Sequence, residues 1–181
     1  MNLETTVNPV SLQEDNDISY LVDKHSTMLY RFCRTLAYSI ADAEDLFQET
    51  WFSVIRNQSK LLKSNNPKSY LCSAALYVWK SQQRKYARRK RIAPETVLDY
   101  EISSSQNVES DFLSQAEKEI VRDLIGKLSD KYRVPILLFY HLEMDISEIG
   151  RVLDLPSGTV KSRLFSARQE IKKGLLKYEK S

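Results

Sequence analysis

The sequence predicts an all-α protein built as two small helical units. Three observations carry this. The 181 residues include only 4 Gly and 5 Pro, too few for the many tight turns of a β protein. Apolar residues recur at spacings of three and four rather than two, the period of helices with one buried face. The charges are sorted into blocks: net −6 over residues 1–50, +11 over 51–91 with no acid at all, −6 over 92–130, −1 over 131–156 and +5 over 157–181. Two basic blocks held apart by an acidic one suggest two separate contacts with a polyanion, because Lys and Arg gain affinity by releasing counterions condensed on nucleic acid.

The balance of 42% hydrophobic and 28% charged residues is that of a globular chain. No run approaches the roughly 18 apolar residues of a membrane span, and the polar, acidic start is unlike a signal peptide, so a cytoplasmic protein is expected. Cys33 and Cys72 fall in apolar helical registers without a Cys or His at metal-ligand spacing, and are expected to be buried and reduced. No metal, cofactor or small-molecule ligand is expected.

Residues 1–16 lack periodicity and read as a disordered tail. From Ile18 the set Leu21, Val22, His25, Met28, Leu29, Phe32, Cys33, Leu36 predicts a helix to about Ser39. A second helix opens with Asp42, Glu44 and Asp45 in its first turn, where carboxylates oppose the positive end of the helix dipole, and runs to about Gln58. Residues 60–68, with Ser64, Asn65, Asn66 and Pro67, read as a loop. A long third helix follows from Pro67 or Lys68, apolar through Val78 and Trp79 and then strongly basic. Residues 92–112 read as a linker. The second unit holds helices at about 113–128, across the apolar stretch from Val134 to Tyr140, at about 146–152, and from Pro156 to about Lys177. Pro135 is expected within the first turn of its helix. The last two helices and the short turn between them make a helix-turn-helix pattern.

In the final helix Val160, Leu164, Ala167, Ile171 and Leu175 share one face. The opposite face presents Lys161, Ser162, Phe165, Ser166 and Gln169, flanked by Arg163 and Arg168, and the helix is led by Pro156 and Ser157. A packed side, a small polar and basic side and a free first turn suit the major groove. Charge alone fits a solvated basic helix equally well, but such a helix has no need of the short scaffold helix before it.

The segment ISEIGRVLDLPSGTVKSRLFSARQEIKK resembles the region-four helix-turn-helix of extracytoplasmic-function sigma factors, and ADAEDLFQETWFSVIRN resembles region two of the same family, with Asp45, Gln48 and Glu49 at its characteristic positions. The resemblance spans about residues 18–178 in the family's order. It implies region two over 17–91, a linker over 92–112 and region four over 113–181. It also implies a transcription initiation factor that binds core RNA polymerase, through the clamp helices of the largest subunit and the flap, and directs it to promoters.

On that resemblance Asp42, Asp45, Gln48, Glu49 and Phe52 form the polymerase-binding strip, opposite Ala43, Leu46, Thr50 and Val54; an ordinary solvated acidic face would look similar. The minus-ten element falls to Lys63, Asn65, Asn66, Lys68, Tyr70, Tyr77, Lys80, Arg84, Lys85 and Arg88, since melting needs a basic groove and surfaces that hold unstacked bases. Trp79 reads better as core. The minus-thirty-five element falls to Ser157, Thr159, Lys161, Ser162, Arg163, Phe165, Ser166 and Arg168. An anti-sigma factor is an implied partner. The chain departs from the family at Leu76, Tyr77 and Ser81, where many members have an Arg-Asn pair and an Asp, and at Asp154, where the turn often has Gly. A stand-alone helix-turn-helix regulator would explain residues 113–181 but not the acid-then-basic first unit. An enzyme acting on DNA would need a nucleophile with a base or a metal-binding carboxylate cluster, and His25 and His141 stand isolated. No enzymatic activity is expected.

Overall fold

A computed structural model describes residues 17–92 and 115–178, and these are helical throughout apart from their connections. The first half holds α1 (Ile18–Leu36), α2 (Ile40–Arg56), α3 (Gln58–Leu62) and α4 (Pro67–Ile92); the second holds α5 (Gln115–Lys127), α6 (Asp130–Tyr140), α7 (Ile146–Leu153) and α8 (Ser157–Tyr178). The tail expected at 1–16 and the linker expected at 92–112 lie outside the described residues, except Ile92, the last residue of α4.

Helix starts follow side-chain caps. Asp17 accepts a hydrogen bond from Ser19 N at 3.1 Å to open α1, and Ser39 Oγ accepts from Asp42 N at 3.0 Å to open α2. Ser39 is thus a cap of the second helix and not the end of the first, which stops at Leu36. The expected loop at 60–68 is shortened by α3, because the apolar pair Leu61 and Leu62 gives the chain something to bury: Leu61 is fully enclosed. Pro135 does not sit in a first turn. Helix α6 begins five residues earlier, where Tyr132 N and Arg133 N both donate to the Ser129 carbonyl at 2.8 and 2.9 Å. The missing proline N–H leaves without a helical donor the carbonyl of Lys131, an exposed residue.

In the first half Leu29, Phe32, Leu36, Leu46, Val54 and Leu71 are enclosed where α1, α2 and α4 meet; in the second, Leu138, Met144, Ile149, Val160 and Leu164 fill the space among α6, α7 and α8. These form one contiguous apolar cluster across both halves, and α7 packs directly on α4. Cys33 and Cys72 are buried and unpaired, and burial pushes both thiols up to about 12.

Candidate functional site

Three surfaces carry the predicted site residues. On α2, Ala43, Leu46, Thr50 and Val54 are buried, and Asp42, Asp45, Gln48, Glu49 and Phe52 are all exposed. Phe52 is 64% exposed, with the apolar Ile55 one turn along beside it. The helix therefore presents carboxylates around an aromatic side chain that no intramolecular contact requires. Asp42 accepts from Ser39 Oγ at 2.7 Å, and Glu49 accepts from Gln82 Nε2 of α4 at 3.2 Å, which fixes two of the strip's carboxylates in place.

The second surface is the loop before α4 and the exposed side of that helix. Lys63 and Asn65 are exposed, as are Lys80, Arg84, Lys85 and Arg88 further along. Tyr77 is 69% exposed, Tyr70 half-buried against the core, and Trp79 buried. Leu76 explains one departure from the family pattern: it points into the core, so this position has no polar side chain to offer DNA, and Tyr77 stands outside next to it. Asn66 has a structural task, since its Oδ1 accepts from Ser69 N at 3.0 Å and caps α4.

Beside this loop lies an open cavity of about 380 Å³ lined by Tyr20, Leu21, Lys24, His25, Asn65, Asn66, Pro67 and Lys68. Tyr20, Lys24 and His25 come from α1 and were not foreseen as site residues. The signal for them was faint: Lys24 is one of only three basic residues in an otherwise acidic stretch of 50. Burial, then the neighbouring Lys24 and Lys68, hold the His25 imidazole below its ordinary value, so the cavity's positive charge comes from the two lysines.

The third surface is α8. Val160, Leu164 and Ala167 are buried against α6 and α7; Ser157, Lys161, Ser162, Phe165 and Arg168 are exposed, with Thr159, Arg163 and Ser166 at the flanks half-buried. The turn that presents this helix is closed by Leu155 N donating to the Gly150 carbonyl at 2.9 Å. A Cβ on Gly150 would lie 2.8 Å from the Leu155 carbonyl oxygen, so the close approach demands glycine there. Asp154 takes the left-handed conformation (φ 54°, ψ 54°) that the family more often assigns to Gly. Asp145 and Glu148 fix the other end of α7 as a reciprocal capping box.

Among the described residues no cluster of His, Cys, Asp and Glu is placed to hold a metal ion, and no helix is long and apolar enough to cross a membrane. The three surfaces are an acidic and aromatic strip, a basic loop and helix with a neighbouring cavity, and the exposed face of α8.

Comparison with known proteins bears on the family. Residues 21–89 match the model of sigma-70 region 2, and residues 118–171 that of sigma-70 region 4. The extracytoplasmic-function (ECF) RNA polymerase sigma factor SigW of Bacillus subtilis is 24% identical, over 97% of both chains. SigM of the same organism is 28% identical, over 80% of this chain and 86% of its own. The fold is that of the sigma factor RpoE of Bartonella quintana, solved with the anti-sigma factor NepR, with a TM-score of 0.73 at 21% identity, covering 88% of this chain and 96% of that one. With region 2 and region 4 in order on one chain, and relatives aligned along nearly all of it, the protein belongs to the sigma-70 family, in its extracytoplasmic-function group, and is a transcription initiation factor that directs RNA polymerase to promoters.

Proposed function

We propose that residues 17–91 work as region two and residues 113–181 as region four, each with its own division of labour. The strip Asp42, Asp45, Gln48, Glu49 and Phe52 grips the clamp helices of the polymerase's largest subunit, where a basic partner meets carboxylates and Phe52 supplies the apolar anchor. The observation that carries this reading is the sorting of α2: every residue assigned to the partner is exposed and the alternating ones are buried.

Lys63, Asn65, Asn66, Lys68, Tyr70 and Tyr77 then take the minus-ten element, with Lys80, Arg84, Lys85 and Arg88 tracking the displaced strand. The cavity beside the loop is of a size to accept one unstacked base, with Lys24 and Lys68 near its phosphate. Ser157, Thr159, Lys161, Ser162, Arg163, Phe165, Ser166 and Arg168 take the minus-thirty-five element in the major groove, and region four also meets the polymerase flap. The protein works in the cytoplasm, contributes binding energy and no catalytic chemistry of its own, and is held in check by an anti-sigma factor, as its structural relative is bound by one.

The test is titration of labelled chain with bacterial core RNA polymerase. Saturable one-to-one binding, lost in the Asp45→Lys, Glu49→Lys double variant with the fold intact, is the expected result. Unchanged binding by that variant would remove the assignment of α2.

A further inference from the structure

The cavity beside the loop collects basic side chains from two elements. Lys24 and His25 enter it from α1 and Lys68 from the first turn of α4, with Tyr20, Asn65 and Asn66 beside them, and among the described residues no Asp or Glu lines it. Lys24 is exposed yet placed: its ammonium donates to the Tyr20 hydroxyl at 3.1 Å and lies 4.9 Å from the centre of that ring. The Lys68 ammonium donates to the Leu142 carbonyl, an uncharged acceptor. Glu148 of α7 also reaches the loop, but its Oε1 accepts from Asn66 Nδ2 at 2.7 Å and the residue does not line the cavity. His25 is half-buried. Burial first, then Lys24 and Lys68, hold its imidazole below the ordinary value of 6.5, so in the free chain the ring is neutral at pH 7.

An anion reverses that balance. A phosphodiester in the cavity offsets the field of the two lysines at the imidazole and adds an attraction of its own, and both effects favour the protonated ring. The proton comes from solvent, and the ring passes from one N–H donor to two. A group that takes up a proton only in the complex ties binding to pH: affinity rises as pH falls through the window between the free and bound titration midpoints. We propose that Lys24 and His25 of α1 are further DNA-binding residues, that together with Lys68 they hold a backbone phosphate of the unstacked strand, and that its arrival protonates His25. This rests on the assignment of the neighbouring loop to DNA.

The chain has two histidines, so each imidazole gives its own carbon-bound proton resonance, and His141, outside the cavity, is the internal control. The full chain is titrated by NMR between about pH 5.5 and about pH 8.5, over the range where circular dichroism shows it folded, with and without a random-sequence single strand of about 20 nucleotides. DNA should raise the His25 midpoint and leave that of His141 in place. By fluorescence anisotropy the parent chain and His141→Gln should bind the strand about three- to tenfold more tightly at about pH 6 than at about pH 8, and His25→Gln should lose most of that gain. Lys24→Ala, at an exposed site and independent of the folding of His25→Gln, should raise the His25 midpoint of the free chain and shrink the rise that DNA causes. Equal rises at both histidines would reflect the general field of a polyanion and overturn the site. A rise of the same size from inorganic phosphate, at the same concentration of phosphate groups, overturns the assignment to a DNA strand. If Lys63→Ala weakens DNA binding while the His25 midpoint stays where it was, the proton uptake is wrong and the loop assignment stands. If neither Lys63→Ala nor Tyr77→Ala weakens binding, the loop assignment itself has failed.

Discussion

The Arg168 side chain is tied back to α6: its Nε donates to the Tyr140 hydroxyl at 2.9 Å, and the guanidinium stacks 5.4 Å from the Phe139 ring and 5.5 Å from that of Tyr140. An exposed arginine of α8 is thereby held in one orientation. Arg168→Ala should lower the slope of log affinity against log salt for duplex DNA by about 0.9, the loss of one phosphate contact. Tyr140→Phe should keep the slope and weaken binding by about two- to tenfold, the worth of one orienting hydrogen bond. Equal slopes for Arg168→Ala and the parent chain would show that Arg168 touches no phosphate.

On α2, burial separates stability from partner binding. Leu46→Ala should cost about 2–5 kcal/mol of folding stability, measured by denaturant unfolding. Phe52→Ala, three-quarters of the way along the same helix, should leave the unfolding midpoint within experimental error and weaken polymerase binding by at least about tenfold, as expected for a central aromatic anchor. A Phe52 variant that unfolds early would place that ring in the core instead.

The helix-turn-helix offers an opposed pair. Gly150→Ala forces a methyl against the Leu155 carbonyl and should destabilise by about 1–3 kcal/mol. Asp154→Gly relieves a left-handed non-glycine residue and should be neutral or stabilising by up to about 1 kcal/mol. Thermal unfolding of the two variants side by side decides it; the reverse order would refute the account of the turn.

Acid should weaken the fold in a definite window. Burial, then nearby Arg31, hold His141 below the ordinary imidazole value of 6.5, and burial with Lys24 and Lys68 does the same for His25. As pH falls through that value the unfolded chain takes up protons that the folded chain refuses, so stability present above it is lost below it. The urea midpoint should drop between about pH 7.5 and about pH 5.5, and the His25→Gln, His141→Gln double variant should flatten that drop. An identical pH profile in the double variant would assign acid sensitivity to other groups.

Most of the helical layout was legible in the sequence because each helix advertises a buried face: α2 alternates Ala43, Leu46, Thr50 and Val54 with carboxylates, and α8 repeats Val160, Leu164 and Ala167. Local signals failed where a distant contact decided the matter. Leu61 of α3 is enclosed by distant parts of the core, and α6 starts at Asp130 although Pro135 suggested otherwise. The contact of α6 with the end of α1 was illegible for the same reason. Arg133 reads as one more basic residue two places before a proline, and nothing near it in the chain indicates that Leu36, 97 residues away, supplies its acceptor.

The exposure of the acidic strip on α2 has a consequence for order of assembly. All five of its residues face solvent, while Asn66 donates to Glu148 and Lys68 to the Leu142 carbonyl of the second half. If the strip holds polymerase as proposed, it can do so with the two halves packed as they are in the free chain. A genome offers about 10⁶–10⁹ non-specific sites to any free basic surface. Lys63, Lys80, Arg84, Lys85 and Arg88 are exposed too, so that reservoir can hold part of the free chain, and promoter occupancy depends on how polymerase shares the chain with bulk DNA.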